Sequence, residues 1–203
     1  MTDLTSVILA YNEAELLPLT LPPIKAVSDR VILVDMGSTD GSLEFYKDIL
    51  SADDLVLSYP RENLSKFGFS HPRNYGGAHA KTDWILAIDC DEYIIEDEFR
   101  AAKELLKSTT SDAFSINRLN YTRTDSVSLP DIKAIMANPP AATEGHRRLY
   151  RNKPRVRFEG MVHEELWIGD LNAYDHCDTW PACLHHLNQY KTQGSEHFKY
   201  GLY

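Results

Sequence analysis

The feature that most constrains this chain is the segment 84–92, which reads W-I-L-A-I-D-C-D-E. Residues 84–88 are apolar without interruption, and the polarity changes abruptly at Asp89. A short continuous apolar run is typical of a strand buried on both faces, as in a parallel sheet covered by helices. The acidic residues would then follow the carboxyl end of that strand, where open α/β sheets bind their ligands. The segment therefore predicts an α/β domain with a ligand site at its acidic end.

The acidic end of this segment carries two carboxylates, Asp89 and Asp91, separated by Cys90. If strand geometry continues, both carboxylates point to the same side. Adjacent carboxylates repel each other unless a cation or a shared proton lies between them, and a divalent ion could also hold a diphosphate. The alternative is a solvated acidic loop, because D-x-D is a common pattern. Its position directly after an apolar strand favours a functional site.

Length and charge restrict the remaining possibilities. At 203 residues the chain is expected to form one domain, 1–203, with a core large enough for a central sheet. The net charge of −9 and the lack of a basic stripe argue against a nucleic-acid partner. We expect a cytoplasmic protein, free or peripheral to a membrane, because no signal peptide or membrane-spanning segment is evident. The sequence stops at residues 199–203 without a polar tail, as expected if this domain is part of a longer chain.

Strands are predicted to alternate with helices along the chain, which indicates a mostly parallel sheet flanked by helices. Besides 84–88, strands are expected at 6–11, 30–34, 55–58, 113–121, 146–150 and 156–158. Helices are expected at 42–50, 70–80, 96–107 and near 195–203, the third burying Phe99, Ala102, Leu105 and Leu106.

Three irregular stretches carry separate expectations. A short helix after Asn12 should be interrupted by Pro18 and end before Pro22. Segments 60–69 and 122–144 are predicted to be loops, the second long enough to be functional. The pair Gly76-Gly77 weakens its predicted helix, so another part of the chain should approach closely there.

Polar clusters follow three of the predicted strands, at residues 11–13, 35–40 and 89–91. Parallel strands bring such ends together on one edge of a sheet, so a nucleotide could lie across them. Neither G-x-G-x-x-G nor the Walker pattern is present. The phosphates would therefore be held by a metal ion and by cations such as Arg73.

The sequence resembles glycosyltransferase family 2, which comprises nucleotide-sugar enzymes of the GT-A fold. The resemblance covers most of the chain from Ser6 to about Leu187, and its motifs are specific as an ordered set. It is most similar to small bacterial-type transferases that build lipopolysaccharide cores or related glycans. The matching stretches are S-V-I-L-A-Y-N-E, V-I-L-V-D-M-G-S-T-D-G-S, H-P-R-N-Y-G, D-W-I-L-A-I-D-C-D-E, R-R-L-Y-R-N and F-E-G-M-V-H-E-E-L.

The resemblance implies donor-site roles for residues of the first half. A nucleoside pocket would be lined by Tyr11, Glu13 and Asp35. Arg73 would stabilise the diphosphate or orient the acids, unless it is a helix-surface cation. Asp89 would contact the ribose or the sugar, and Asp91 the metal. Asp35 and Asp40 have a structural alternative, because either could cap the G-S-T-D-G-S turn.

Residues of the second half would complete the site. His185 or His186 could bind the metal, as histidines do in some GT-A enzymes, and the sequence does not choose between them. Glu164 is the favoured catalytic carboxylate, with Glu159 and Glu165 as competitors.

These roles predict a metal-dependent inverting glycosyltransferase, using Mn²⁺ or Mg²⁺. It would move a hexosyl or deoxyhexosyl group from a nucleotide-sugar, with uridine diphosphate favoured, to a glycan or glycoconjugate acceptor. Residues 1–110 would bind the nucleotide and residues 111–203 would form the acceptor side. One alternative is a nucleotidyltransferase, which Y-N-E-A-E after the first strand disfavours because a Gly- and Arg-rich loop is expected there. The other is a non-catalytic binder of nucleotide-sugars or carbohydrates.

Overall fold

The computed structural model describes residues 3–123 and 129–190. The strands are β1 (Leu4–Ala10), β2 (Arg30–Asp35), β3 (Leu55–Ser58), β4 (Trp84–Asp89), β5 (Glu92–Tyr93), β6 (Ala113–Asn120), β7 (Ala142–Arg151), β8 (Val156–Glu159), β9 (Glu165–Ile168), β10 (Leu171–Asn172) and β11 (Asp178–His186). The α-helices are α1 (Leu17–Val27), α2 (Ser42–Ile49), α3 (Leu64–Phe67), α4 (Ser70–Gly77), α5 (Glu96–Lys103) and α6 (Ile132–Met136).

Eight strands form one mixed sheet in the order β3-β2-β1-β4-β7-β6-β11-β5. The half that contains β1 to β4 is parallel throughout, whereas β7 runs antiparallel to both β4 and β6. Strands β8, β9 and β10 form a separate small antiparallel sheet. This architecture confirms the predicted α/β class with a mostly parallel central sheet.

The central strands are buried on both faces, as the apolar runs predict. Alternate side chains of β1 enter two different clusters: Ile8 packs with α1, α2 and α5 residues, and Val7 packs with residues of α3, β8 and β9. Trp84, the first residue of β4, is completely buried. Helices on one face and a helix with a small sheet on the other therefore cover the parallel half.

The predicted end of α1 before Pro22 is wrong, because the helix continues to Val27 with Pro22 and Pro23 inside it. Interior prolines cost roughly 3 kcal/mol each because each removes a hydrogen bond. The same helix buries Leu17, Leu21, Ile24 and Val27 against the sheet. Each buried aliphatic side chain contributes about 1.5–3 kcal/mol, so packing outweighs the local penalty.

Other local predictions are also corrected by the structure. Segment 60–69 contains a 3-10 turn at Arg61–Asn63 and α3, and segment 122–144 contains α6 and the start of β7. Helix α5 tightens into a 3-10 helix at Glu104–Lys107, which leaves Leu105 46% exposed. The helix predicted near 195–203 lies outside the described residues.

None of the helices in residues 3–123 and 129–190 has the length and the apolar character that a membrane-spanning segment needs.

The close approach predicted at Gly76 is present. A Cβ atom there would lie 2.5 Å from Val7 Cγ1 and 2.8 Å from Val34 Cγ2. Helix α4 therefore lies directly on β1 and β2, closer than a residue with a side chain would allow. This contact brings the buried side of α4, which carries Arg73, towards the carboxyl ends of the strands.

Candidate active site

The carboxyl ends of β1, β2 and β4 are aligned at one edge of the sheet. Ala10 of β1 pairs with Asp35 of β2, and Leu9 pairs with Asp89 of β4. The polar segments that follow these strands therefore begin side by side, as the sequence predicts. This edge forms the candidate site.

Two of these segments are joined by hydrogen bonds. The Ser38 hydroxyl accepts from the backbone N–H of Asn12 at 3.0 Å, and the Asp40 carboxylate accepts from that of Ala14 at 2.9 Å. Asp40 also accepts from the backbone N–H and the hydroxyl of Ser42, at 3.1 and 2.6 Å. Asp40 thus has the structural role that the sequence left open, since it holds the loop after β1 against the start of α2.

The two carboxylate oxygens of Asp35 lie in different environments. Oδ2 accepts from the backbone N–H groups of Gly37 and Ser38, at 2.9 and 3.1 Å. Oδ1 is buried and has no hydrogen-bond partner. Asp35 therefore caps its turn with one oxygen and presents an unsatisfied acceptor with the other, which is unusual for a buried polar atom.

Tyr11, at the end of β1, is covered by Arg61. The Arg61 guanidinium donates to the Tyr11 hydroxyl at 2.6 Å, and its central carbon lies 4.0 Å from the ring centroid. The backbone N–H of Glu13 is held by the Ser42 hydroxyl at 2.9 Å. The sequence does not single out Arg61, because it lies in the segment 60–69, for which only a loop is predicted.

Arg73 is buried at the centre of the site and is not a helix-surface cation. It is 3% exposed, donates to Asp89 Oδ1 at 2.7 Å and forms an ion pair with Glu164. Its Nη1 atom is buried without a hydrogen-bond partner. Arg73 thus orients two acids from distant parts of the chain, which is one of the two roles that the resemblance implied.

Arg148 of β7 is a second buried arginine that sequence reasoning did not single out. It donates from Nη2 to Asp89 Oδ2 at 3.0 Å, and its Nη1 lies 3.7 Å from Glu92 Oε2. Glu92 is completely buried and accepts from the backbone N–H of Asp89 at 2.9 Å. The only sequence signal was an arginine inside the matching stretch R-R-L-Y-R-N.

The two arginines change the interpretation of the D-C-D segment. Each oxygen of Asp89 is bound by a guanidinium, so two arginines offset its repulsion with Asp91. Burial alone would raise the pKa of Asp89, but Arg148 and Arg73 together lower it well below its usual value. Strand β4 ends at Asp89 and a turn follows, so the two acids do not continue one strand face.

Glu164 is largely buried, with 10% of its side chain exposed. Burial raises its pKa, but the guanidiniums of Arg73 and Arg148 outweigh this effect and lower it. Its two competitors lie in other surroundings, because Glu159 pairs with Arg157 and Glu165 accepts from Asn172. Of these three acids, Glu164 is the one in contact with Arg73.

The adjacent histidines of β11 have different partners. His186 Nε2 lies 3.5 Å from Asp91 Oδ2, and its Nδ1 lies 2.8 Å from Asn120 Oδ1. His185 Nδ1 contacts the Tyr121 hydroxyl at 2.7 Å, and the two rings are stacked with centroids 5.9 Å apart. Strand alternation points neighbouring side chains to opposite faces. The geometry therefore favours His186 over His185 as a partner of Asp91.

The donor set at Asp91 and His186 fits a divalent ion. With the Asn120 oxygen accepting from Nδ1, a neutral His186 would present its Nε2 lone pair towards the Asp91 carboxylate. A divalent cation between the two side chains could then take both as ligands. Among the described residues no group of three or more histidine, cysteine or acidic side chains could hold a metal, so phosphate and water oxygens would complete the coordination.

The fold and this edge define an α/β protein with its candidate site at the carboxyl ends of parallel strands. The sequence profile described as glycosyl transferase family 2 matches residues 5–164. The chain therefore belongs to glycosyltransferase family 2, which confirms the predicted family.

Two curated relatives and one solved structure are similar to the chain. Glycosyltransferase SunS of Bacillus subtilis is 30% identical, over 80% of this chain and 34% of its own length. A TPR repeat-containing protein of Synechococcus elongatus is 28% identical, over 81% of this chain and 35% of its own. S. aureus TarS in complex with UDP-GlcNAc is 20% identical with a TM-score of 0.46, covering 74% of this chain and 45% of that one. The chain thus spans about a third of the length of these curated relatives.

Proposed function

We propose that this domain transfers a sugar, with inversion, from a nucleoside diphosphate-sugar to a glycan or glycoconjugate acceptor. The observation that carries the proposal is the row formed by Asp35, Asp89 and Asp91 along one sheet edge. In this row Asp35 has an unsatisfied acceptor, Asp89 is fixed by two arginines and Asp91 faces His186. Membership of glycosyltransferase family 2 and the similarity to the glycosyltransferase SunS support the same class of reaction.

The nucleoside would lie over the ends of β1 and β2. The buried Oδ1 of Asp35 can accept from an N–H on the base edge, and uracil N3–H supplies such a donor. Tyr11 and Arg61 would provide planar groups against the ring. Glu13, in the loop beside them, would contact the nucleoside from the same side. These features favour uridine diphosphate.

Asp91 and His186 would hold the Mn²⁺ or Mg²⁺ ion, which when bound supplies positive charge for the leaving diphosphate. Arg73 and Arg148 fix Asp89 so that its carboxylate stays in one orientation beside the ribose or the donor sugar. His185, which packs on Tyr121, is not included in this metal site.

Glu164 is the proposed base for the acceptor hydroxyl. A hydroxyl is a weak nucleophile at neutral pH, so a carboxylate within hydrogen-bond reach should take its proton. The lowered pKa of Glu164 keeps it ionised at neutral pH, as a base requires. In this proposal residues 1–110 bind the donor and residues 111–203 form the acceptor side of one domain, active in the cytoplasm, free or at a membrane surface.

A thermal-shift titration with uridine, guanosine and adenosine diphosphates, with and without Mn²⁺, tests the donor site. We expect the largest shift from uridine diphosphate with Mn²⁺. Release of uridine diphosphate from a uridine diphosphate-sugar in the presence of acceptor then separates a transferase from a non-catalytic binder. Release of pyrophosphate from a sugar phosphate and a nucleoside triphosphate would instead indicate a nucleotidyltransferase.

A further inference from the structure

A second group of polar side chains lies beside the candidate site, at the paired ends of β6 and β7. We call Arg118, Asn120, Glu144 and His146 the rim cluster. The strands pair antiparallel, with Arg118 opposite Glu144 and Ile116 opposite His146. The cluster therefore rests on hydrogen-bonded strands, which fix its side chains more firmly than a loop would.

Glu144 is the centre of the rim cluster. Its Oε2 accepts from Arg118 Nη2 at 2.7 Å and from Asn120 Nδ2 at 3.2 Å, and His146 Nε2 lies 3.5 Å away. Yet 52% of the Glu144 side chain is exposed. A carboxylate that is held on one oxygen while its side chain faces solvent can still accept hydrogen bonds from a ligand.

The cluster also contains a buried polar atom that the protein leaves unsatisfied. Arg118 Nε has no hydrogen-bond partner, whereas His146 Nε2 faces the Glu144 carboxylate. Such atoms reduce stability by about 1–3 kcal/mol each, whereas an exposed ion pair contributes only about 0–1 kcal/mol. Arg118 also lies 3.8 Å from Oε1 of the buried Glu92, so it contributes to folding as well as to the polar surface of the cluster.

The rim cluster is connected to the proposed metal ligands by hydrogen bonds. Asn120 donates to Glu144 through its amide nitrogen, and its amide oxygen accepts from His186 Nδ1 at 2.8 Å. His186 in turn faces Asp91. A molecule bound at Glu144 would consequently lie beside the reaction site.

We propose that the rim cluster is a subsite that binds adjacent hydroxyl groups of the sugar acceptor. This inference rests on the proposed function, and it adds the chemistry by which the acceptor is recognised. A sugar hydroxyl both donates and accepts, and the cluster places a carboxylate acceptor beside guanidinium, amide and imidazole groups. The exposed carboxylate disfavours an anionic ligand, so the ligand is an uncharged pyranoside with neighbouring hydroxyl groups.

Saturation-transfer NMR on the full chain, in the presence of excess uridine diphosphate and the diamagnetic ion Mg²⁺, tests the subsite. The probes are the methyl β-glycosides of glucose, galactose and N-acetylglucosamine. We expect saturation of at least one glycoside, with affinity reduced about tenfold in Glu144→Gln, because a charge-assisted hydrogen bond is lost. Glu96→Gln, a similarly exposed glutamate that is paired with Arg100 on α5, is the matched control and should bind as the unaltered protein does.

The outcomes separate this inference from the proposed function. Glycoside binding that depends on Glu144 supports the subsite, even if uridine diphosphate itself fails to bind and the donor proposal falls. Normal uridine diphosphate binding with no saturated glycoside, or with equal saturation in Glu144→Gln, overturns the subsite and leaves the donor proposal intact. The melting temperature of Glu144→Gln is expected to lie within a few degrees of that of the control. This measurement would show that the variant is folded and that the loss of glycoside binding has another cause.

Discussion

Arg148 donates to Asp89 Oδ2 at 3.0 Å from the antiparallel strand that lies beside β4. The same guanidinium lies 3.7 Å from the completely buried Glu92. Arg148 therefore compensates negative charge on both sides of the turn that carries Asp91. Burial of Glu92 raises its pKa, the neighbouring Asp89 and Asp91 add to this effect, and Arg148 opposes it.

Replacing Arg148 with Met should destabilise the protein strongly. The substitution keeps the apolar stem but leaves Asp89 with one guanidinium and Glu92 with less compensation. Breaking a buried ion pair by removing one partner costs about 3–5 kcal/mol. Urea denaturation measures this, and Arg155→Met is the control, because Arg155 and its partner Asp170 are both exposed and the expected loss is under about 1 kcal/mol. Equal losses in both variants would contradict the role of Arg148.

His146 should make the unfolding free energy depend on pH. Burial and the nearby Arg148 and Arg118 lower its pKa from the usual 6.5 to about 4, although Glu144 opposes this. At pH values between these two pKa values, His146 binds a proton in the unfolded chain but not in the native protein. Stability should therefore fall as pH drops from 6.5 to 5, by up to about 1.4 kcal/mol per pH unit for one proton.

Denaturant titrations across that window test the assignment. His146→Gln should flatten the pH dependence, whereas His176→Gln, on an exposed residue, should leave it unchanged. Some dependence should survive in His146→Gln, because burial also lowers the pKa of His185. An unaltered slope in His146→Gln would show that the imidazole is not the group responsible.

Asp91→Asn should abolish the part of the nucleotide-induced stabilisation that needs Mn²⁺. A ligand at a hundred times its Kd stabilises the native state by about 2.7 kcal/mol, which is a readily measured thermal shift. The control is Asp48→Asn, on the exposed surface of α2. The proposed metal site would be refuted if Mn²⁺ raised the melting temperature of nucleotide-bound Asp91→Asn as much as it raises that of the unaltered protein. Full transfer activity in excess chelator would refute it as well.

Asp35→Asn should reduce the preference for uridine diphosphate over adenosine diphosphate. The amide has one acceptor oxygen, which cannot serve both the turn and the base, so the preference should fall about tenfold. Competition binding measures the ratio. Equal affinity of the unaltered protein for both nucleotides would show that Asp35 does not select the base.

The sequence predicted those features that depend on strand periodicity. Apolar runs located β1, β2 and β4, and parallel pairing then brought Asp35 and Asp89 to one edge. The sequence could not predict Arg148 as a partner of Asp89, because this contact depends on the antiparallel position of β7. The choice between His185 and His186 likewise required the register of β11, which sends one imidazole to Tyr121 and the other to Asp91.

The final prediction concerns Glu164, which Arg73 holds in an ion pair. Glu164→Gln keeps the shape of the side chain and removes its basicity, so kcat should fall by about a hundredfold or more. Donor affinity should change little, because Asp89 keeps its hydrogen bonds to Arg73 and Arg148. Glu159→Gln and Glu165→Gln are matched controls, since both acids lie in strands that flank the same turn and have exposed surroundings. Turnover that survives in Glu164→Gln and collapses in one control would move the role of base to that residue. A product that retains the anomeric configuration would reject the inverting mechanism itself.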